Sequence, residues 1–118
     1  MEPQDVLAFA QHWIQAWKDR DVEALLAHYT DDVEFHSLLA VKLLGDASGT
    51  VVGRQKLGEY FRKALALFPG ELDIELLGVY RGVDSVIVHF QILGRRGAEV
   101  MELDQAGKVH RALAHGQA

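Results

Sequence analysis

Two strand-like stretches of the sequence carry side chains suited to chemistry. In the run HYTDDVEFHS, residues 28–37, strict alternation would place Ser37 on one face of a strand and His36 on the other. In the run AEVMELD, residues 98–104, the same alternation places Glu99 on a face that is otherwise apolar. A carboxyl group in apolar surroundings keeps its proton to higher pH, so it can act as an acid or as a hydrogen-bond donor.

Each of these polar residues has a second interpretation. Glu99 follows the turn-like run GRRG by two residues, so it lies either inside an apolar core or at its solvated rim. The Ser37 hydroxyl cannot take up a proton at neutral pH unless a base lies beside it. His36, on the opposite face, is expected to point outward, where histidines usually belong to the surface or to an interface.

The first half of the chain is predicted to hold three helices. Pro3 suits the first turn of a helix, Asp21 suits the N-cap of a second, and Gly53 precedes a third that the run FPG ends. Residues 38–52 open with apolar residues and continue into a glycine-rich turn. They are predicted to form either a short helix or a flap that covers a cavity and is mobile without ligand.

The second half is predicted to consist of consecutive antiparallel strands. ELDIELLGVYRG, DSVIVHFQIL, AEVMELD and KVHRALAH are separated by short turns, and the alternation in the first of them shifts phase near Gly78, as at a β-bulge. Helices followed by a strand meander indicate an α+β fold, with the helices on one face of an antiparallel sheet. The 118 residues are expected to form a single domain, 1–118.

Composition excludes several classes of function. The net charge of −5 argues against nucleic-acid binding, which needs a basic surface. No apolar run approaches the ~20 residues of a membrane span, and the N-terminus lacks the basic start of a secretory signal. The absence of cysteine rules out disulfides and fits a reducing compartment, so a cytoplasmic location is expected. No phosphate loop or metal-ligand motif indicates a cofactor.

The runs AWKDRDVEALLAHYTDDVEFHS, GRQKLGEYFRKAL and VMELDQAGKV resemble the SnoaL-like, nuclear-transport-factor-two-like superfamily. The resemblance extends from about Val6 to His115 and implies three helices packed on the concave face of a curved sheet. Together they form a cone with a pocket at its wide end. The superfamily includes ketosteroid isomerases, polyketide cyclases, epoxide hydrolases and domains without catalytic activity, so the fold alone does not decide the function.

The resemblance also implies roles for single positions. Ser37 stands where ketosteroid isomerase has its general base, and Ala114 stands where epoxide hydrolases have an acid, so neither mechanism is complete here. Glu99 matches the protonated acid of the isomerase oxyanion hole, and Tyr29 matches a tyrosine of its hydrogen-bond network. Trp13 and Phe61 replace two further tyrosines, which makes the implied pocket more apolar.

Two functions are therefore expected as alternatives. The first is a pocket for a small apolar, oxygenated ligand, with Glu99 as candidate acid or base of a cofactor-independent isomerase, cyclase or hydrolase. The second is a non-catalytic ligand-binding or protein-interaction domain. No metal site is expected, although His89, Glu102 and His115 share a predicted sheet face. The pocket is predicted to include Trp13, Trp17, Tyr29, Phe35, Ser37, Tyr60, Phe61, Val88, Phe90, Met101 and His110.

The outer face of the predicted sheet indicates a homodimer. It is expected to carry several apolar side chains on the side away from the helices, where they would otherwise face water. An interface of two such sheets would be isologous. The residues expected on this face are Ile87, His89, Gln91, Val100 and Leu113.

Overall fold

Four helices and six strands form in the computed structural model, which describes residues 1–118. The helices are numbered α1 to α4 and the strands β1 to β6, both in chain order. The elements are α1 Pro3–Lys18, α2 Val22–Leu26, β1 Tyr29–His36, α3 Leu38–Leu44, β2 Thr50–Val52, α4 Arg54–Ala66, β3 Ile74–Gly82, β4 Ser85–Ile92, β5 Arg95–Leu103 and β6 Val109–Gly116.

The six strands form one mixed, unclosed sheet in the order β2-β1-β6-β5-β4-β3. The α+β prediction is confirmed, and β3 to β6 form the expected meander of hairpins. One pairing departs from the antiparallel prediction, because β1 lies parallel to β6. Alternation along a strand determines which side chains share a face but not which strand lies beside it, so the sequence pattern could not indicate this pair.

The starts of α1 and α2 and the irregularity in β3 follow from their local sequences. Pro3 occupies the first turn of α1, where its missing N–H has no partner to lose, and the Asp21 side chain accepts a hydrogen bond from the Ala24 N–H at 3.0 Å. The predicted bulge near Gly78 is confirmed by a register shift between Leu76 and Gly78. These local signals therefore position α1, α2 and β3 correctly.

Helix α3 is the short helix that was one of the alternatives for residues 38–52, and it adds a fourth helix to the three predicted; that this segment is mobile without ligand stays a prediction. The side chain of Ser37 accepts a hydrogen bond from the Leu39 N–H at 3.2 Å and caps the helix. The turn that follows is held by a hydrogen bond from the Ser37 N–H to the Gly49 carbonyl at 2.9 Å. Gly49 has a φ of +62°, and a Cβ there would lie 2.6 Å from the backbone carbonyl oxygen of Ser37, so only glycine fits.

The helices cover one face of the sheet, which we call the inner face. Helix α1 packs on β3, α4 packs on β1 and β2, and α3 packs on α4. A core cluster of 25 buried residues fills the space between these helices and the inner face. No helix is both long enough and apolar enough to cross a membrane.

Candidate functional site

A cavity of about 330 Å³ lies between the helices and the inner face of the sheet. Its size falls within the ~300–1,000 Å³ typical of small-molecule pockets. Helices α1, α3 and α4 and strands β3, β4, β5 and β6 all contribute to its walls, and most of the lining is apolar. The aromatic side chains of this lining are Trp13, Trp17, Phe35, Tyr60, Phe61, Phe68 and Phe90.

The aromatic rings pack against one another in edge-to-face and tilted pairs. The Trp13 ring lies 5.5 Å from Phe90 and 6.1 Å from Trp17 between centroids, and Trp17 lies 5.1 Å from Phe61. Such pairs are favoured by the quadrupoles of the rings and hold each ring in one orientation. The cavity therefore has firm walls that suit an apolar ligand.

Glu99 is the buried acid of this cavity. Side chains along β5 point alternately to the two faces of the sheet, so Glu99, Met101 and Leu103 lie on the inner face. Glu99 is only 4% exposed. Burial raises the pKa of Glu99 to about 8, and the Tyr29 hydrogen bond, which lowers it, only partly offsets this. The structure thus places Glu99 inside the fold rather than at a solvated rim, and its carboxyl is mainly protonated at neutral pH.

A chain of hydrogen bonds leads from helix α1 to Glu99. The Trp13 indole N–H donates to the Tyr29 hydroxyl at 3.1 Å, and that hydroxyl donates to Oε2 of Glu99 at 3.2 Å. Burial and the neighbouring Glu99 raise the pKa of Tyr29 well above its ordinary value, so the phenol keeps its proton. The other carboxyl oxygen, Oε1, makes no hydrogen bond within the protein, which leaves it available to a ligand.

A second polar pair lies at the start of α3. The hydroxyls of Ser37 and Tyr60 are 3.0 Å apart, and both residues line the cavity. Burial raises the pKa of Tyr60, with a smaller opposing effect of the Ser37 hydrogen bond, so Tyr60 is not a base at neutral pH. Ser37 therefore has no proton acceptor beside it and serves as a helix cap and a hydroxyl of the cavity wall.

The indole N–H of Trp17 is buried and has no acceptor within the protein. Buried donors without a partner are uncommon, because leaving one unsatisfied costs ~1–3 kcal/mol. Trp17 is one of the residues that line the cavity, but its indole nitrogen itself is not exposed there. Besides protonated Glu99, the hydroxyls of Ser37 and Tyr60 are groups of the lining that can donate a hydrogen bond to a ligand.

The residues predicted for the pocket fall into three groups. Tyr29, Val88 and Met101 are fully buried in the core beside the cavity, without lining it. His110 is exposed and outside it: a register shift pairs Glu102 with Arg111 and Leu103 with Val109, so β6 has one extra residue there. Those that line the cavity are Trp13, Trp17, Phe35, Ser37, Tyr60, Phe61, Phe90 and Glu99.

Several lining residues were missed by the sequence interpretation. Phe68 and Leu72 lie between α4 and β3: the helical spacing of α4 and the alternation of β3 each extend to them and mark them as apolar, but periodicity does not show that they line a cavity. Arg95 lines the cavity too, and a signal for it existed: it lies four residues before Glu99 in the same strand, hence on the same face. The turn assignment of GRRG concealed this, because β5 begins at Arg95 and includes both arginines.

The outer face, opposite the helices, carries ion pairs rather than a metal cluster. Arg111 contacts Glu34 and Glu102 at 3.2 Å each, and His36 lies 3.6 Å from Glu34. His36 is thus outside the cavity, with its Nδ1 3.1 Å from the Thr50 hydroxyl. No group of three or more histidine, aspartate or glutamate side chains is arranged to hold a metal ion.

Comparisons with known proteins place the chain in one family. The model of the SnoaL-like domain matches residues 10–117. A SnoaL-like protein of unknown function from Burkholderia thailandensis E264 is 35% identical, with a TM-score of 0.92, over 99% of this chain and 98% of that protein. No curated protein matches the sequence.

More distant structures share the fold. An NTF-2-like protein of unknown function from Burkholderia xenovorans LB400 is 19% identical, with a TM-score of 0.72, over 97% of this chain and 84% of that one. A candidate ketosteroid isomerase from Kribbella flavida DSM 17836 is 17% identical, with a TM-score of 0.66, over 94% and 76%. Since the family model spans nearly the whole sequence, this chain belongs to the SnoaL-like family.

Proposed function

We propose that the protein binds a small, largely apolar ligand through a carbonyl or similar oxygen that accepts a hydrogen bond from protonated Glu99. The observation that carries this proposal is Glu99 itself, buried in an aromatic cavity and held by Tyr29 at 3.2 Å. A protonated carboxyl in such a place donates a hydrogen bond without the cost of desolvating a charge.

Acetophenone and ethylbenzene are suitable probes, because they share a phenyl ring with a two-carbon side chain and only acetophenone has a carbonyl oxygen. Both tryptophans of the chain line the cavity, so their indole N–H signals in NMR spectra report binding directly. We expect acetophenone to bind about tenfold more tightly than ethylbenzene at pH 6, since one hydrogen bond contributes ~1–1.5 kcal/mol.

Two substitutions at Glu99 separate its roles. Glu99→Gln keeps a donor and should retain the preference for acetophenone, whereas Glu99→Met keeps the volume and should lose it. Glu102→Gln on the outer face is the matched control and should behave as the parent. Equal binding of the two probes by the parent protein would contradict the proposal.

A second candidate function, proton transfer next to a carbonyl group, is favoured by the pKa of Glu99. A value of about 8 makes both the acid and the ionised base accessible near neutral pH, as acid–base catalysis requires. Exchange of the acetophenone methyl protons for deuterium, followed by NMR, tests it. The exchange rate should rise as pH passes through 8 and fall to the rate in buffer in Glu99→Gln. Exchange in the parent protein no faster than in buffer would contradict proton transfer and leave ligand binding as the only proposed function of the cavity.

We propose, separately, that a second copy of the chain covers the outer face. Ile87, Val100 and Leu113 lie side by side across β4, β5 and β6, and Tyr80, next in the same row on β3, is 56% exposed. Burying this row would remove apolar surface from water, and a two-fold axis would pack each sheet on its twin.

Light scattering tests the homodimer. We expect a mass of twice the 13.1 kDa chain at micromolar concentration. Val100→Glu should give a monomer, because it places a charge in the middle of the apolar row. Val83→Glu, in the exposed turn between β3 and β4, is the control and should leave the dimer intact. A monomeric parent protein would refute the proposal.

A further inference from the structure

The charges that line the cavity are distributed unevenly between its depth and its mouth. Glu99 is the only acidic residue of the lining, and it is buried. Arg95 and Arg96 also line the cavity but are exposed, so they mark the place where it opens to solvent. A chain with a net charge of −5 thus has a cationic entrance to an apolar cavity.

The arginines at the mouth have no carboxylate partner, in contrast to three other arginines of the chain; Arg20 and Arg81 also lack one but lie outside the cavity lining. Arg54 pairs with Asp31, Arg62 with Glu23, and Arg111 bridges two glutamates. Neither Arg95 nor Arg96 makes an ion pair with any side chain of the protein. Carboxylates are in excess in this acidic protein, yet none of them pairs with the two arginines at the cavity entrance. These arginines are therefore available to an anion from outside.

Arg95 is held in position by the end of the chain. Its Nη2 donates to the Gln117 carbonyl at 2.8 Å, and its other N–H groups make no hydrogen bond within the protein. Two further hydrogen bonds, between the Arg96 backbone and Gln117, hold Gln117 against the start of β5. The guanidinium group therefore has a defined place and free donors, the combination that suits a planar acid group.

The spacing along β5 sets the length of a ligand that would reach both ends. Arg95 and Glu99 are four residues apart on the inner face, which corresponds to about 14 Å between their Cα atoms at ~3.4 Å per residue. Gly97 lies between them, and the Phe90 ring lies over it: a Cβ at Gly97 would be 2.7 Å from that ring. An apolar wall thus connects the donor in the depth to the cation at the mouth.

We propose that the ligand of this cavity is an amphiphilic anion, with an apolar body inside the cone and an acid group, such as a carboxylate or sulfonate, bound by Arg95 at the mouth. This inference rests on the proposed function, because it names the class of ligand for the same cavity. Protonated Glu99 adds no negative charge to the depth of the site, so it does not repel such a ligand.

Decanoate, 1-decanol and decyltrimethylammonium test the inference, because they share an apolar chain and differ in the charge of the head group. Binding is followed by the fluorescence of the two tryptophans at pH 7 and low salt. We expect decanoate to bind about tenfold more tightly than 1-decanol, with the cation the weakest. Arg95→Gln should reduce the preference for decanoate over 1-decanol to about twofold or less.

Two further variants keep the interpretation unambiguous. Arg95→Lys retains the charge and should preserve most of the preference, whereas Arg81→Gln, an exposed arginine of β3 outside the cavity, should change nothing. Equal affinities of the parent protein for decanoate and 1-decanol, or an unchanged preference in Arg95→Gln, would overturn the anionic ligand while leaving the proposed cavity function intact. If none of the three probes binds to the parent protein, the anionic ligand is wrong, whereas the comparison of acetophenone with ethylbenzene decides the proposed function separately.

Discussion

Glu99 and Glu102 are two glutamates of the same strand that face opposite sides of the sheet. Glu102 lies on the outer face, where Arg111 and water surround its carboxylate. Glu99 lies on the inner face, where the structure provides one tyrosine hydroxyl and an apolar cavity. The two glutamates are only three residues apart, yet Glu102 lies at the surface and Glu99 is a buried, protonated hydrogen-bond donor. The alternation of side chains along β5 therefore determines the surroundings of each carboxyl group.

The largest expected effect is the response of stability to pH. The pKa of Glu99 is about 8 in the folded protein and near 4.5 in an unfolded chain, so the native state binds its proton more tightly. Its contribution to stability is full below pH 4.5 and is lost as pH rises through 8. Glu99→Gln should therefore raise the free energy of unfolding at pH 7 by up to ~3 kcal/mol, measured by urea denaturation.

The outer-face glutamate provides the control for that experiment. Glu102→Gln should keep the parent's loss of stability between pH 4.5 and 8, because Glu99 is still present. If Glu99→Gln and the parent lose stability in parallel across this range, Glu99 is in contact with water, and the contrast between the two faces fails.

A smaller effect is expected from Tyr29→Phe, which removes the link between Trp13 and Glu99. The Trp13 N–H would then be buried without an acceptor, at a cost of ~2 kcal/mol. The pKa of Glu99 should rise further, because the Tyr29 hydrogen bond lowers it. Urea denaturation at pH 5 and at pH 8 measures both effects. Tyr80→Phe keeps the ring and removes a hydroxyl that makes no hydrogen bond within the chain, so it should leave the free energy of unfolding unchanged, and equal effects of both substitutions would contradict the hydrogen-bond chain.

Gly97→Ala is expected to cost ~1–2 kcal/mol, because its Cβ would lie 2.7 Å from the Phe90 ring and force that ring to move. The same change should weaken binding of acetophenone and decanoate. Gly116 pairs with Gly97 across β5 and β6, and a Cβ there meets nothing within 4 Å, so Gly116→Ala is the matched control. Thermal denaturation and the tryptophan signals measure the difference, and two equally mild variants would show that Phe90 is not held in place.

The smallest effect is expected at the cap of α3. Ser37→Ala should cost ~1 kcal/mol and speed amide exchange in residues 38–44. Asp21→Ala removes the cap of α2 instead and should leave exchange in α3 as it is in the parent. In the parent, we expect exchange to be faster in residues 38–52 than in 84–92, and equal protection of the two segments would mean that α3 is not a mobile cover.

Local patterns in the sequence were sufficient for most elements and for the inner face of β5, but not for β2, which lies in the stretch predicted as a helix or flap, or for the start of β5 at Arg95. Alternation placed Glu99 with Met101 and Leu103 because a strand has a period of two wherever no bulge intervenes. It misplaced His110 because the register shift in β6 changes the phase, and nothing in KVHRALAH marks that bulge. The parallel neighbour of β1 and the lining residues after α4 depend on tertiary contacts, which periodicity does not report. Whether Glu99 is buried or solvated depended on those contacts as well.

The parallel pairing of β1 with β6 has a consequence for the order in which the chain folds. Tyr29 of β1 lies beside Val109 of β6, so the sheet cannot be joined until residues 80 positions apart in the sequence have met. Hairpins among β3, β4, β5 and β6 close short loops and are expected to form first, while β1 and β2 can join this meander only through β6. Pulsed amide exchange during refolding should protect β4 and β5 before β1, and simultaneous protection would show that the sheet forms in one step.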